Sequence, residues 1–149
     1  MNCPSDRIWQ RRATRAAANG EFQVSTLIYL ASPYSDPDPG VREQRFQDVC
    51  EAAAYLIRQG HLVFSPIAHS HPIALCGLPG EWEFWAMHNC EWLSRCDELW
   101  VLRLPGWSTS QGVGKEQSMA RDNNQRIRYV DWPITELNAT EPEPREDDA

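Results

Sequence analysis

Lysine is nearly absent from this chain: Lys115 is the single one in 149 residues, and the formal net charge is −7. Duplex nucleic acid is held largely by neutralising phosphates, so a chain with no basic surplus is a poor fit to it. Lys115 does not complete a Walker loop either. It follows Gly114 but precedes Glu116, and no Gly-x-x-x-x-Gly-Lys-Ser/Thr run occurs. No apolar run approaches the roughly 18 residues of a membrane span. The start of the chain is basic but has no apolar segment, which excludes a secretory signal. The five cysteines are odd in number and never spaced Cys-x-x-Cys. That speaks against a zinc ribbon and for reduced thiols in the cytoplasm. There are no internal repeats.

Charge is unevenly placed along the chain, and the middle is only mildly acidic. Residues 1–20 carry Arg7, Arg11, Arg12 and Arg15 against Asp6, and residues 136–149 carry six acids against Arg145. We read residues 1–24 as a disordered basic extension and 135–149 as an acidic, proline-containing disordered tail. Residues 25–134 are then one α/β domain, long enough for a real core.

Inside that domain, short apolar runs at 26–31, 61–65, 99–104 and 126–130 read as strands. Helical periodicity covers about 41–59, where Val41, Phe46, Val49, Ala53, Leu56 and Ile57 form one stripe and Gly60 closes the end. A second helix spans 81–95, with Trp82, Trp85, Asn89 and Trp92 on one face, and a third about 114–123. Residues 32–40, with three prolines, read as a loop, and so do 66–80 and 105–114. Alternating strands and helices predict a flavodoxin/Rossmann-like three-layer sandwich with a parallel sheet of four to five strands. Ligands of such folds sit beyond the carboxyl ends of the strands, where these three loops lie.

The segment Ser108-Thr-Ser-Gln-Gly-Val-Gly-Lys-Glu116 joins the third strand to the third helix. Free N–H groups at a helix start can hold an anion, and small residues let a phosphate approach. Glu116, placed in the first turn, is favoured in its ionised form by the helix dipole. An ionised carboxylate beside a phosphate cradle suits attack on a sugar phosphate. The plainer alternative is ordinary capping of a helix in an α/β protein.

At Ser110-Gln-Gly-Val-Gly-Lys-Glu116, preceded by Glu91-Trp-Leu-Ser-Arg-Cys-Asp-Glu98, the chain resembles the nucleoside 2-deoxyribosyltransferase superfamily. Its 2′-deoxynucleoside 5′-monophosphate N-glycosidases carry a Ser-x-Gly-Val-Gly-x-Glu segment after a similar helix end. Tyr29-Leu-Ala-Ser-Pro-Tyr34, Ser70-His-Pro72 and Leu104-Pro-Gly-Trp107 also resemble an uncharacterised bacterial and phage branch. The likeness covers about residues 26–131. It implies that Glu116 attacks C1′ of a (deoxy)ribose, expels the base and forms a glycosyl-enzyme that water or a second base resolves. It implies that Ser110 binds a 5′-phosphate with N–H groups of Gly112 and Gly114, and that Ser32 and Tyr34 line the sugar-phosphate pocket. It implies a homodimer or homotetramer, and no cofactor. Hydrolysis of a nucleoside 5′-monophosphate is the preferred reading. Base exchange and an inactive nucleotide-binding sensor are the alternatives.

One departure bears on the chemistry. The superfamily usually has an acid in the helix before the third strand, and Asn89 stands there. As a catalytic-site residue it can hold a base or a ribose hydroxyl, but it cannot act as a general acid. Glu81, Glu83, Glu91 and His88 are substitutes the sequence does not choose among. His69 and His71 lack a third ligand, so we expect no metal and a contact to base or phosphate instead. Trp107, beside the nucleophile segment, is the tryptophan expected to stack on a base.

Overall fold

The computed structural model describes residues 26–134. The readings of 1–24 and 135–149 fall outside the described residues. The strands are β1 (Leu27–Ala31), β2 (Leu62–Phe64), β3 (Glu98–Arg103) and β4 (Arg126–Asp131). The helices are α1 (Pro39–Arg58), α2 (Pro66–Ala74), α3 (Trp82–Arg95) and α4 (Gln111–Asp122), with a 3₁₀ turn at Trp107–Thr109. The four strands form one parallel sheet in the order β2-β1-β3-β4. This is an α/β fold of the flavodoxin/Rossmann-like sandwich type.

Strand alternation divides the core in two. Ile28 and Leu30 of β1 face α1, where Val49, Ala52 and Leu56 are buried, and Ile67 and Ala68 of α2 pack beside them. Tyr29 and Ala31 face the other way, onto Leu93 of α3 and Val113 and Ala120 of α4. A strand covered on both faces reads as a continuous apolar run, as residues 27–31 do. Ile57 leaves the expected stripe of α1 and is 54% exposed.

Local chemistry sets the helix ends. Asp38 caps α1 by accepting from the Gly40 N–H at 2.8 Å, and Pro39 takes the first position, where its missing N–H costs nothing. At the other end Gly60 adopts φ +95°, its N–H reaches the Ile57 carbonyl, and His61 reaches Leu56. These two bonds make a Schellman close.

Two expectations need correction. Residues 66–74 are helical, not loop. Ser65 Oγ accepts from the Ala68 N–H at 3.1 Å and Pro66 sits at the first position, an ordinary start signal. Pro72 within the helix, and the polar His-Ser-His run, masked it. The helix after β3 begins at Gln111, not Gly114. Ser110 is the cap, its Oγ facing the Val113 N–H at 3.4 Å, so the glycines lie inside the first turn.

Candidate functional site

The connection from β1 through α1 leads to β2, while the chain after β3 runs through α4 to β4 on the opposite side. The loops leaving the carboxyl ends of β1 and β3 therefore part, and a crevice opens between them. α2 and α3 wall it. The result is a cavity of about 530 Å³, a size suited to a small organic ligand.

Glu116 lies at its inner wall. With α4 starting at Gln111, Glu116 falls in the second turn and is 4% exposed. Its Oε1 accepts a 2.7 Å hydrogen bond from the Tyr29 hydroxyl, itself fully buried. Burial pushes the carboxyl up to about 8, and the Tyr29 bond pulls it part of the way back. The expected ionisation by the helix dipole is thus overturned. Desolvation outweighs the dipole, which is worth roughly 0.3–1 kcal/mol and fades beyond the first turn. The same burial, with the carboxylate beside it, raises Tyr29 well above its usual value, so the phenol remains a donor.

The phosphate cradle is also narrower than the sequence suggests. The Gly114 N–H is taken by the Ser110 carbonyl at 3.0 Å, and Gly114 is exposed and off the cavity. Gln111 and Gly112, the first two positions of the helix, keep N–H groups with no intrahelical partner. Both residues line the cavity with Ser110 and Thr109.

Opposite them, Ser32 and Asn89 are each 6% exposed, and both line the cavity. Ser32 Oγ and Asn89 Oδ1 have no hydrogen-bond partner. Buried polar atoms are nearly always satisfied, and both residues line a space where a small side-chain rotation brings these atoms to a ligand. Tyr34 and His71 line the same cavity, and the Tyr34 hydroxyl and His71 Nδ1 are 2.7 Å apart. His71 Nε2 is 3.0 Å from Glu43 Oε2, and Phe46 stacks on the ring at 4.2 Å.

His69 and Trp107 are not among the cavity residues. On a helix, positions two apart point about 200° from each other. His69 accordingly turns away from His71 and stacks on His88, with ring centroids 5.3 Å apart and Phe64 at 5.8 Å. Burial and then His88 lower its pKa. Trp107 is half-buried and packs against the core, its ring centroid 5.5 Å from that of Tyr129. Among the described residues no cluster of three or more His, Cys, Asp or Glu is placed to hold a metal ion.

Other cavity residues escaped the sequence reading. Trp82 and Trp85 line it, although the sequence places them only on one face of a helix and singles out Trp107 for stacking. Arg45 of α1 also lines it, donating to the carbonyls of Tyr34, Ser35 and Pro105 and so tying the β1 loop to the β3 loop. Nothing in the periodicity of α1 marks Arg45. The partner of Glu116, Tyr29, was visible as an apolar strand residue, but its pairing over 87 positions was not.

Residues 26–131 match the family model described as a domain of unknown function (DUF1937), and the chain belongs to that family. No curated protein matches it. No helix among the described residues is long and apolar enough to cross a membrane.

Proposed function

We propose that this member of the DUF1937 family is an N-glycosidase acting on a (deoxy)ribonucleoside 5′-monophosphate, with Glu116 as nucleophile. The observation that carries the reading is a buried carboxylate, pinned through one oxygen by Tyr29, at the wall of a cavity also lined by two residues, Ser32 and Asn89, that each carry an unpartnered buried polar atom. Pinning Oε1 leaves Oε2 as the attacking atom and fixes its direction.

In the reaction, ionised Glu116 Oε2 forms a bond to C1′ as the bond from C1′ to the base nitrogen breaks, its electron pair leaving with the base. Water then attacks C1′ of the glycosyl-enzyme and returns the carboxylate. Burial that raises the Glu116 pKa makes the anion scarce near neutrality, and also a stronger nucleophile when it forms. The free N–H groups of Gln111 and Gly112, with Ser110 and the nearby Arg45, suit a 5′-phosphate. Trp82 and Trp85 offer apolar faces for the base. Ser32 Oγ and Asn89 suit hydroxyl or amide groups of the ligand, which would complete their bonding.

The test is base release from a panel of ribo- and deoxyribonucleoside 5′-monophosphates, with wild type and Glu116→Ala. Release by wild type, reduced by several orders of magnitude in the variant, supports the reading and names the substrate. Nucleotide binding with no base released even on long incubation would replace it with a sensor, a role that Asn89 in the place of an acid favours.

A further inference from the structure

We propose that Tyr34, His71 and Glu43 form a proton relay that serves the departing base, supplying the general acid that Asn89 cannot be. The inference rests on the glycosidase reading and adds a catalytic residue to it.

The three side chains come from separate parts of the fold: the loop after β1, α2 and α1. Their order is set by geometry. Glu43 Oε2 stands 3.0 Å from His71 Nε2, and His71 Nδ1 stands 2.7 Å from the Tyr34 hydroxyl. The imidazole is 6% exposed and held flat against Phe46 at 4.2 Å, so it cannot turn to exchange its nitrogens. Glu43 accepts from Nε2–H, which leaves Nδ1 as the atom that exchanges a proton with Tyr34. A carboxylate that orients a histidine, which in turn serves a hydroxyl, is the logic of activated hydroxyl groups generally. Tyr34 is the cavity end of this chain and Glu43 the solvent end, its side chain 49% exposed.

Two states of the relay follow. With His71 protonated on both nitrogens, Nδ1–H donates to Tyr34 Oη, and the Tyr34 O–H is free to donate into the cavity. As the bond from C1′ to the base breaks, the Tyr34 proton goes to the base nitrogen and the Nδ1 proton goes to Tyr34 Oη, leaving His71 neutral. When water attacks the glycosyl-enzyme, its proton passes to Tyr34 Oη and the Tyr34 proton returns to Nδ1. One group thus gives a proton in the first half of the reaction and takes it back in the second, as a retaining or covalent glycosidase requires. Tyr34 remains a phenol throughout. Burial raises its pKa, Arg42 works against that, and Glu43 adds to it.

A structural role for the same three residues, holding the β1 loop to α1 and α2, predicts a different outcome. The experiment measures kcat/KM for wild type, Tyr34→Phe, His71→Gln and Glu43→Gln on two substrates. One is the nucleotide that wild type accepts. The other is its counterpart whose base leaves more readily without a proton: the N7-methylated purine, or 5-fluorouracil in a pyrimidine nucleotide. Melting temperatures are recorded alongside. We expect Tyr34→Phe and His71→Gln to lose about 10²–10³-fold on the first substrate and less than about fivefold on the second. Glu43→Gln, whose half-exposed side chain makes a folded variant secure, shows the same asymmetry with a loss of about tenfold on the first substrate. Equal losses on both substrates, or none on either, in folded variants overturn the relay and leave the glycosidase reading standing. Wild type that releases base from no nucleotide of the panel, readily departing bases included, overturns the glycosidase reading itself, and the relay with it.

Discussion

The Tyr29 hydroxyl donates to Glu116 Oε1 across 2.7 Å, from the central strand to the second turn of α4, with both side chains buried. The pair decides when Glu116 is an anion. Burial raises its pKa to about 8, and Tyr29 opposes that rise by stabilising the charged form. A nucleophile must be deprotonated, so the Glu116 limb of the wild-type kcat/KM profile should rise with pH through about 8. In Tyr29→Phe the opposing bond is gone. The rising limb should move to still higher pH, and the rate at neutral pH should fall about 10–100-fold, since each unit of pKa is tenfold in the anion. A pH profile of kcat/KM for the two proteins checks this. A limb that stays in place would dissociate Tyr29 from the ionisation.

Glu116→Gln separates function from stability. The folded carboxyl binds its proton more tightly than the unfolded one, whose pKa stays near 4.5. Between about 4.5 and 8 the native state therefore holds more protons, and its stability falls as pH rises through that window. Below it, Glu116 is protonated in both states and this penalty is absent. Gln keeps an acceptor for Tyr29 and never carries the charge. The variant should lose activity, match wild type in melting temperature near pH 4.5, and exceed it by a margin that grows to pH 8. The shift corresponds to several kcal/mol at most. Thermal melts across the window decide it; a constant difference would mean that Glu116 titrates normally.

Ser32→Ala should do little harm to the empty protein and much to its complex. Ser32 Oγ is buried without a partner. Removing it relieves a desolvated hydroxyl, so stability should stay level or rise by about 1 kcal/mol. A ligand that bonds this hydroxyl loses that bond, and its Kd should rise about tenfold or more. Urea unfolding and ligand titration give both numbers. Destabilisation by the substitution would show that Ser32 already has a partner in the free protein.

The parts legible in the sequence are those governed by neighbours along the chain. The buried run of β1, the Gly60 helix close and the strand-helix alternation are local patterns, and they gave the fold. α4 starts three residues before the point the sequence suggests, because Gly112 and Gly114 read as loop while Ser110 supplies the cap. The shift moves Glu116 from the first turn to the second, where burial sets its pKa above the usual value. His69 and His71 read as a pair in the sequence, yet a helix sets them on opposite sides. Tyr29, Arg45 and Glu43 meet the site through contacts between distant segments, and no spacing rule reports those.

Gly106 and Arg45 should prove energetically coupled. Gly106 adopts φ +88°, in the left-handed region, at the turn that carries the β3 loop into the cavity. A side chain there costs roughly 1–2 kcal/mol from backbone strain alone. Its Cβ would also stand 3.1 Å from Arg45 Nη2. That nitrogen donates to the Pro105 carbonyl at 3.2 Å, while Nη1 holds Ser35 at 2.9 Å and Tyr34 at 3.2 Å. The guanidinium cannot retreat from a new methyl group without loosening one of the loops it ties together. Gly106→Ala should therefore destabilise by more than the backbone term. In an Arg45→Ala background the crowding is gone and only the backbone term remains. A double-mutant cycle by urea unfolding should return a coupling of about 0.5–1 kcal/mol. Strict additivity would show that Arg45 moves aside freely, and that the two loops are not held by its guanidinium.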